Sequence, residues 1–319
     1  MKLIKQSFQF VNQEGFTLKD IYKHIEYCAR ISYKSQDKIT DTSYKKFVIM
    51  LKSRGHDRPL EFGTVHLKMS SPQFDALQML LIKNKVYNDC WIKYNVIDTE
   101  KESICYITTN YRYYMELCRY DRGVSEYLDP SDNPLYPRRY TVHMILDRGV
   151  MDEFRTHVGL SHLAESTRYC NYSKDKFSNE VTFIKPCWLN IPEGKYNHCI
   201  MVSKDSPDIR VECVGSDEIG KYYNIGEDEG LFLNGLVQSE LTYLHLINNR
   251  KWTPQQARSV LPLGIKSELI SCGFEDAWEN FMRRRSPKYG DPGAHPMAAE
   301  IADRLCEEFF KLTRASWLS

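Results

Sequence analysis

One polar stretch, residues 165–177, constrains this chain more than any other. It reads Glu-Ser-Thr-Arg-Tyr-Cys-Asn-Tyr-Ser-Lys-Asp-Lys-Phe, which has too few aliphatic side chains for a core strand. Ser166, Arg168 and nearby backbone N–H groups can hold a phosphate, because a guanidinium fork and short hydroxyls match phosphate oxygens. Tyr169 and Tyr172 can stack on a base. The alternative is a polar surface turn with a solvated arginine, and these residues alone leave both interpretations open.

Composition and charge argue against several classes of protein. The 43 basic and 42 acidic side chains nearly cancel, so no overall field favours nucleic acid or an anionic membrane. No apolar run approaches the roughly 18 residues that a membrane helix needs, and the first residues lack the apolar region of a signal peptide. The ten cysteines show neither C-x-x-C pairs nor zinc spacing. We therefore expect reduced thiols, no metal site and a cytoplasmic protein.

Hydrophobic periodicity predicts helices mixed with strands. Strands are expected at residues 1–12, 65–69, 91–96, 104–109, 140–146 and 181–184. Helices are expected at residues 18–33, 42–53, 111–117, 148–158, 231–248, from 254 onward, 274–285 and 297–313, with N-caps at Thr17, Asp147 and Thr253. Val158 is expected to face inward, and Gly264 and Gly273 to end helical turns. The pattern predicts an α/β fold with a mostly antiparallel sheet, as a single domain over residues 1–319 with insertions at about 72–140 and 188–229.

Three arginines lie in semi-apolar stretches of the sequence. Each could bind a ligand, and the alternative for each is a solvated side chain. They are Arg168, Arg258 and Arg285. Arginines at three separate places in such surroundings suggest a shared anionic ligand.

Five separated motifs carry a resemblance to a known family. They are RISYKS (30–35), DRGV (147–150), ESTRYCNYSKDKF (165–177), ARSVLP (257–262), and WENFMRRRS (278–286) paired with GAHP (293–296). Together they resemble flavin-dependent thymidylate synthases, in the family's order, over most of residues 1–69, 141–187 and 231–315. The resemblance implies one α/β domain with a twisted sheet flanked by helices, and a homotetramer that shares active sites between subunits.

The resemblance also implies the reaction and its co-substrates. Members transfer the methylene of methylenetetrahydrofolate to C5 of dUMP, a pyrimidine deoxynucleoside monophosphate, and reduce it with a hydride from FAD that NADPH reloads. The resemblance assigns catalysis to Arg285, Ser166 and His157. It assigns substrate binding to Glu153, Ser166, Arg168, Arg258 and Arg285, and cofactor binding to Ser32, Glu61, His157 and Ser161. A packed helix histidine is the alternative for His157.

The chain departs from the family's signature on the flavin side. Aligned without gaps, the signature Arg-His-Arg is here Thr156-His157-Val158. A family histidine is replaced by Phe62. A family Glu or Gln is replaced by Ala164, which removes a hydrogen-bonding group from the nucleotide side. We therefore expect FAD to be weakly held or absent, with Arg155 and His162 as the nearest candidates for compensation. Besides dTMP synthesis, the sequence leaves open a C5 modification without net reduction, such as hydroxymethylation of dUMP or dCMP, or a non-catalytic nucleotide-binding relative.

Overall fold

The computed structural model describes residues 1–168, 170–201, 209–213 and 221–313, and within them strands and helices alternate. The strands are β1 (Lys2–Ile4), β2 (Ser7–Phe10), β3 (Thr64–Ser70), β4 (Ile92–Asp98), β5 (Ser103–Asn110), β6 (Arg139–Asp147), β7 (Ser161–Ala164), β8 (Thr182–Ile184), β9 (Gly194–Met201), β10 (Ile209–Cys213), β11 (Lys221–Ile225) and β12 (Lys266–Phe274). The helices are α1 (Leu18–Tyr33), α2 (Ser43–Ser53), α3 (Ser71–Lys83), α4 (Tyr111–Tyr120), α5 (Arg148–Phe154), α6 (Glu227–Asn248), α7 (Pro254–Ala257), α8 (Glu275–Arg285) and α9 (Pro296–Thr313). Short 3-10 turns include Arg58–Phe62 and Arg258–Val260.

These strands form three sheets, and helices flank them. The first has the order β2-β6-β12-β7, the second β11-β10-β9-β1-β8, and the third β3-β5-β4. Within these sheets β1 and β8 run parallel, and the other pairs are antiparallel. The predicted α/β class with mostly antiparallel pairing is therefore confirmed, although the strands divide among separate sheets. The single domain and its two insertions stay predictions.

The sheet that contains β12 packs against the last two helices. Trp278, Phe281 and Phe309 are fully buried in this core, together with Leu269 of β12. Trp278 Nε1 also donates a hydrogen bond to the Tyr140 carbonyl at 3.1 Å, which ties α8 to β6. The core therefore fixes the position of the C-terminal end of α8, where Arg285 lies.

The central strand β12 was not predicted from the sequence. It pairs with β6 from Lys266↔Asp147 to Phe274↔Arg139 and with β7 on its other side. Both faces are buried over most of its length, so its sequence lacks the apolar–polar alternation of a half-exposed strand. Gly273 lies in this strand, so the expectation that it ends a helical turn was wrong. Gly264 lies in a turn between the 3-10 segment Arg258–Val260 and β12, and its carbonyl accepts a hydrogen bond from Ile184 N.

The N-terminal strand is also different from its prediction. Residues 1–12 form β1 and β2, which belong to different sheets. Gln6 lies between them, buried, and its amide donates hydrogen bonds to the Met297 carbonyl at 2.8 Å and to Glu300 Oε2 at 3.0 Å. A side chain anchored to α9 in this way separates the two strands.

Helix α5 ends earlier than predicted. Asp147 caps it by accepting a hydrogen bond from Val150 N at 2.8 Å, as expected, but the helix stops at Phe154. Thr156 Oγ1 donates back to the Glu153 carbonyl at 2.7 Å, and Gly159 has a φ of +92°, which turns the chain into β7. Val158 is 81% exposed, so the prediction that it faces inward was wrong. The triplet 156–158 is a turn and not part of a helix.

Most helix predictions are confirmed. Thr17 and Asp20 form a capping box at the start of α1, and Thr253 and Gln256 form another at the start of α7. The strands expected at residues 91–96 and 104–109 are present as β4 and β5, which pair with each other, while α3 was not predicted. Among the helices of the described residues, none combines the length and the apolar character of a membrane span.

Candidate active site

Arg285, the last residue of α8, is held at three points by the end of α5 and the turn after it. Its Nε donates to His157 Nε2 at 2.9 Å, and its terminal nitrogens donate to Glu153 Oε2 at 2.8 Å and to the Glu153 carbonyl at 3.2 Å. Glu153 and Arg285, which the sequence analysis named for the nucleotide, are thus in direct contact, and His157, named for catalysis and for the cofactor, also contacts Arg285. Because the guanidinium is planar and fixed on one side, its remaining N–H donors point in set directions.

His157 is neutral in this arrangement. Its Nε2 accepts from Arg285, so the ring proton is on Nδ1. Burial and, next, the positive charge of Arg285 lower the pKa of His157 to about 4. The ring also packs against Phe281, with centroids 4.8 Å apart. Such a histidine orients Arg285 and is a poor proton donor at neutral pH.

The turn that follows β7 contains Ser166 and Arg168. Glu165 N donates to the Glu268 carbonyl at 2.7 Å, which anchors the turn to β12. Ser166 is half-buried and Arg168 is exposed. Arg258 reaches this turn from the 3-10 segment Arg258–Val260 and donates to Thr167 Oγ1 at 2.9 Å. The structure therefore brings Arg258 to the residues between Ser166 and Arg168.

The sequence analysis considered two tyrosines of this stretch as stacking platforms for a base, and the structure describes one of them. Tyr172 is 5% exposed and packs against Phe177 and Tyr243, with centroids 5.2 and 5.8 Å apart. It is a core residue, so its expected role as a stacking platform for a base was wrong. Tyr169 lies outside the described residues.

A buried group of four charged side chains lies beneath the same turn, and sequence reasoning missed it. Lys266 Nζ is 2.8 Å from Glu165 Oε2 and 2.7 Å from Glu268 Oε1, and Lys34 Nζ contacts Glu268 as well. His143 Nε2 lies 3.0 Å from Glu268 Oε2. Burial raises the pKa of Glu268, but the His143 hydrogen bond and the two lysines outweigh it and hold that pKa well below its usual value. We name this set, Lys34, Glu165, Lys266 and Glu268, the buried ion cluster.

A second polar group surrounds Glu61, on the side that the resemblance assigns to the cofactor. Glu61 is 4% exposed and accepts hydrogen bonds from Ser161 Oγ at 2.6 Å and from Arg112 at 2.5 Å. Ser32 donates to the Ala29 carbonyl and lines a neighbouring cavity of about 450 Å³. Arg58 and Arg112 line this cavity too. Three of the four predicted cofactor residues, Ser32, Glu61 and Ser161, thus lie at or beside one cavity, while His157 contacts Arg285 instead.

A comparison with models of protein families shows which family this chain belongs to. The family model described as thymidylate synthase complementing protein matches residues 131–312, which is more than half of the chain. The chain belongs to this family. The resemblance found in the sequence is thereby confirmed.

Other comparisons add two solved structures. No curated protein matches the sequence. The UMP/dUMP methylase PolB from Streptomyces cacaoi bound with 5-Br dUMP is similar at 13% identity, with a TM-score of 0.39, over 98% of this chain and 93% of that chain. The same methylase bound with 5-Br UMP is similar at 12% identity and the same TM-score, over 98% of this chain and 92% of that chain.

Thr156 and Val158, which the sequence analysis aligned with the two arginines of the signature, both lie at the surface. Thr156 is exposed and its hydroxyl is turned back on Glu153, and Val158 projects into solvent. His162, expected as a source of compensation, is buried with both ring nitrogens in use, Nδ1 near Ser271 Oγ at 2.8 Å and Nε2 near the His157 carbonyl at 3.2 Å. Both ring nitrogens therefore already have partners within the protein, and a role of His162 in holding the cofactor stays a prediction. In the described residues, no group of three or more His, Cys, Asp or Glu side chains could hold a metal ion.

Proposed function

We propose that this protein is a flavin-dependent thymidylate synthase that transfers a one-carbon unit from methylenetetrahydrofolate to C5 of dUMP and yields dTMP. Family membership supports methyl transfer to a pyrimidine nucleotide. The observation that carries the proposal is the fixed guanidinium of Arg285, held by Glu153 and His157. We further propose a homotetramer whose active sites are completed by neighbouring subunits.

The phosphate of dUMP is taken by the turn after β7. Arg258 already donates to Thr167 of this turn, and Ser166 and Arg168 stand on either side of that contact. Two guanidinium groups and a hydroxyl supply charge-assisted hydrogen bonds worth about 1.5–3 kcal/mol each. These residues therefore place the nucleotide by its phosphate.

Arg285 acts on the base. C5 of uracil becomes nucleophilic when the ring's electrons shift toward it, and it loses its proton once the new carbon–carbon bond has formed. A guanidinium fixed in advance beside a pyrimidine oxygen stabilises the negative charge that develops during this shift. His157 and Glu153 hold that guanidinium in place, so we assign both to positioning, with Glu153 also at the nucleotide's edge. Ser166 remains a candidate catalytic hydroxyl on the same turn.

The residues around Glu61 fit a flavin. Ser32 and two arginines line a cavity of about 450 Å³, next to the hydrogen-bonded pair of Glu61 and Ser161. When bound, FAD supplies the hydride that converts the transferred methylene to a methyl group, and NADPH restores it. The polar and cationic lining suits the phosphates of such a cofactor.

Nucleotide binding tests the proposal. Replacing Arg168 with Ala is expected to weaken dUMP binding at least tenfold in calorimetry, because one charge-assisted contact is lost. Arg283→Ala is the control, since Arg283 pairs with Glu279 on the surface of α8. Unchanged affinity in Arg168→Ala would contradict the phosphate assignment. Mass spectrometry of the product distinguishes a methyl from a hydroxymethyl group, and a hydroxymethyl product would replace dTMP synthesis with C5 modification without net reduction.

A further inference from the structure

We propose that Arg112, together with Arg58, forms the site for the diphosphate of the flavin dinucleotide, in place of the arginines that the signature lacks at Thr156 and Val158. This inference rests on the proposed function. It assigns a cofactor contact to Arg112, which comes from the segment 72–140 rather than from the motifs shared with the family.

The signature turn itself offers no cation at the cavity. Thr156 donates its hydroxyl to the Glu153 carbonyl, and Val158 points into solvent. Arg155 contacts Asp152 at 3.3 Å on the surface. His162 is neutral, because burial lowers its pKa to about 4. A dinucleotide that carries two linked phosphates therefore needs positive charge from another part of the chain.

Arg58 stands close to this turn. It begins the 3-10 segment Arg58–Phe62, is exposed, and lines the cavity together with Ser32 and Leu163 of β7. Burial is the main cause of the low pKa of His162, and the positive charges of Arg155 and then Arg58 lower this pKa further. Arg58 thus brings a guanidinium to the strand that directly follows the signature turn.

Arg112 is held in place from two sides. One terminal nitrogen donates to Glu61 Oε1 at 2.5 Å, and the guanidinium carbon lies 5.2 Å from the centre of the Trp91 ring. The guanidinium has five N–H donors, so donors beyond the one used by Glu61 are available for an oxyanion. Because Glu61 and Trp91 fix the side chain before the ligand arrives, little rotational freedom is lost on binding.

The cavity is also lined by an acidic residue, so one substitution is expected to change the affinity in the opposite direction. Asp57 lines the same cavity as Arg58 and Arg112. A carboxylate there repels a diphosphate and partly offsets the two arginines. Removing its charge with Asp57→Asn should therefore tighten the binding of an anionic ligand, whereas removing either arginine should weaken it.

The experiment compares FAD with riboflavin, which lacks both the diphosphate and the adenosine. FAD and riboflavin are titrated into the full-length protein while flavin fluorescence is followed. Arg58→Gln and Arg112→Gln are each expected to weaken FAD binding by about 10- to 100-fold, as for one charge-assisted contact, and Asp57→Asn to strengthen it. Riboflavin affinity should not change in any of these variants. Arg119→Gln, on the exposed side of the same helix α4, is the matched control.

A stability measurement and a conservative variant separate a lost contact from a damaged fold. Arg112→Gln leaves the buried Glu61 carboxylate without its cation, so its urea midpoint is compared with that of wild type to show whether the fold is intact. Arg112→Lys, which keeps the charge, should lose less affinity than Arg112→Gln. FAD affinity within threefold of wild type in both arginine variants would overturn the proposal.

Binding of dUMP, measured in the same samples, distinguishes this inference from the proposed function. Wild-type protein that binds dUMP but not FAD overturns the diphosphate site and leaves the nucleotide site intact. Protein that binds neither ligand overturns the proposed function as well.

Discussion

At the scale of single residues, Lys266 shows how much the site depends on a buried charge. Its ammonium group contacts Glu165 and Glu268, and the Glu165 side chain is completely buried. Burial disfavours the charged lysine, but the two carboxylates outweigh it and raise the pKa of Lys266. Because Glu165 directly precedes Ser166, the buried ion cluster supports the turn that we assign to the nucleotide phosphate.

We predict that Lys266→Met lowers the free energy of unfolding by about 3–5 kcal/mol, since removing one partner leaves buried carboxylates without enough positive charge. Urea denaturation at pH 7 measures this change. Lys288→Met removes an exposed pair with Glu307 and should leave the midpoint unchanged. The double variant Lys266→Met with Glu165→Gln should recover part of the loss. A Lys266→Met protein as stable as wild type would show that Lys34 alone neutralises both carboxylates.

At the scale of elements, β12 depends on a glycine where the chain comes close to a neighbouring turn. A Cβ at Gly273 would lie 2.5 Å from Leu160 Cδ2 and 3.0 Å from the Gly159 carbonyl oxygen. The strand can approach the 159–160 turn because position 273 has no side chain. This contact places β7, and with it Ser161, beside the centre of the sheet.

Gly273→Ala is therefore expected to destabilise the protein by about 1–3 kcal/mol through overpacking. Gly235→Ala is the matched control, because Gly235 lies inside α6 with open space where a Cβ would be. That substitution should stabilise the protein by about 0.5–1 kcal/mol, as alanine favours the helix. Thermal denaturation of both variants measures the two opposite changes in stability. Unchanged stability in Gly273→Ala would mean that Leu160 moves aside at no cost.

At the scale of the whole molecule, four histidines make the fold sensitive to acid. Burial lowers the pKa values of His24, His66, His157 and His162 to about 4. Below pH 6.5 the unfolded chain takes up these protons while the folded protein does not, so stability falls as the pH drops from about 6.5 to about 4. For the fully buried His24, the shift corresponds to about 3 kcal/mol.

We expect urea midpoints to decrease steadily between pH 7 and pH 4.5. His24→Gln should make this decrease smaller, because one of the four groups that take up a proton on unfolding is gone. The same substitution at the exposed His56 should leave the profile as it is. A midpoint independent of pH across this range would contradict the assignment of neutral buried histidines.

The assembly gives a further prediction at this scale. Large apolar side chains are exposed on two helices, Met79 and Ile82 on α3 and Leu231 and Leu241 on α6. Exposed apolar surface of this kind is typical of protein interfaces. We predict an obligate oligomer, and light scattering at micromolar concentration should give the mass of four chains. A stable monomer would rule out active sites shared between subunits.

Much of the architecture was decided locally and could be predicted from the sequence. The capped starts of α1, α5 and α7 depend on contacts between residues three positions apart, so Thr17, Asp147 and Thr253 identify them directly. The resemblance likewise selected Glu153, His157 and Arg285, which the structure places in contact. Their catalytic and binding roles, and the homotetramer, stay predictions.

Only the tertiary structure decided the rest. Strand β12 is stabilised by partners more than a hundred residues away, such as Met144 opposite Leu269, and burial on both faces removes the alternation that marks a strand. The same long-range pairing brings Lys266 and Glu268 to Glu165. Arg112 reaches Glu61 because β3 and β5 pair, which no local pattern signals. The sequence determined the locally capped helices and several residues of the site, whereas contacts between distant segments decided the central strand, the buried ion cluster and the cations beside Glu61.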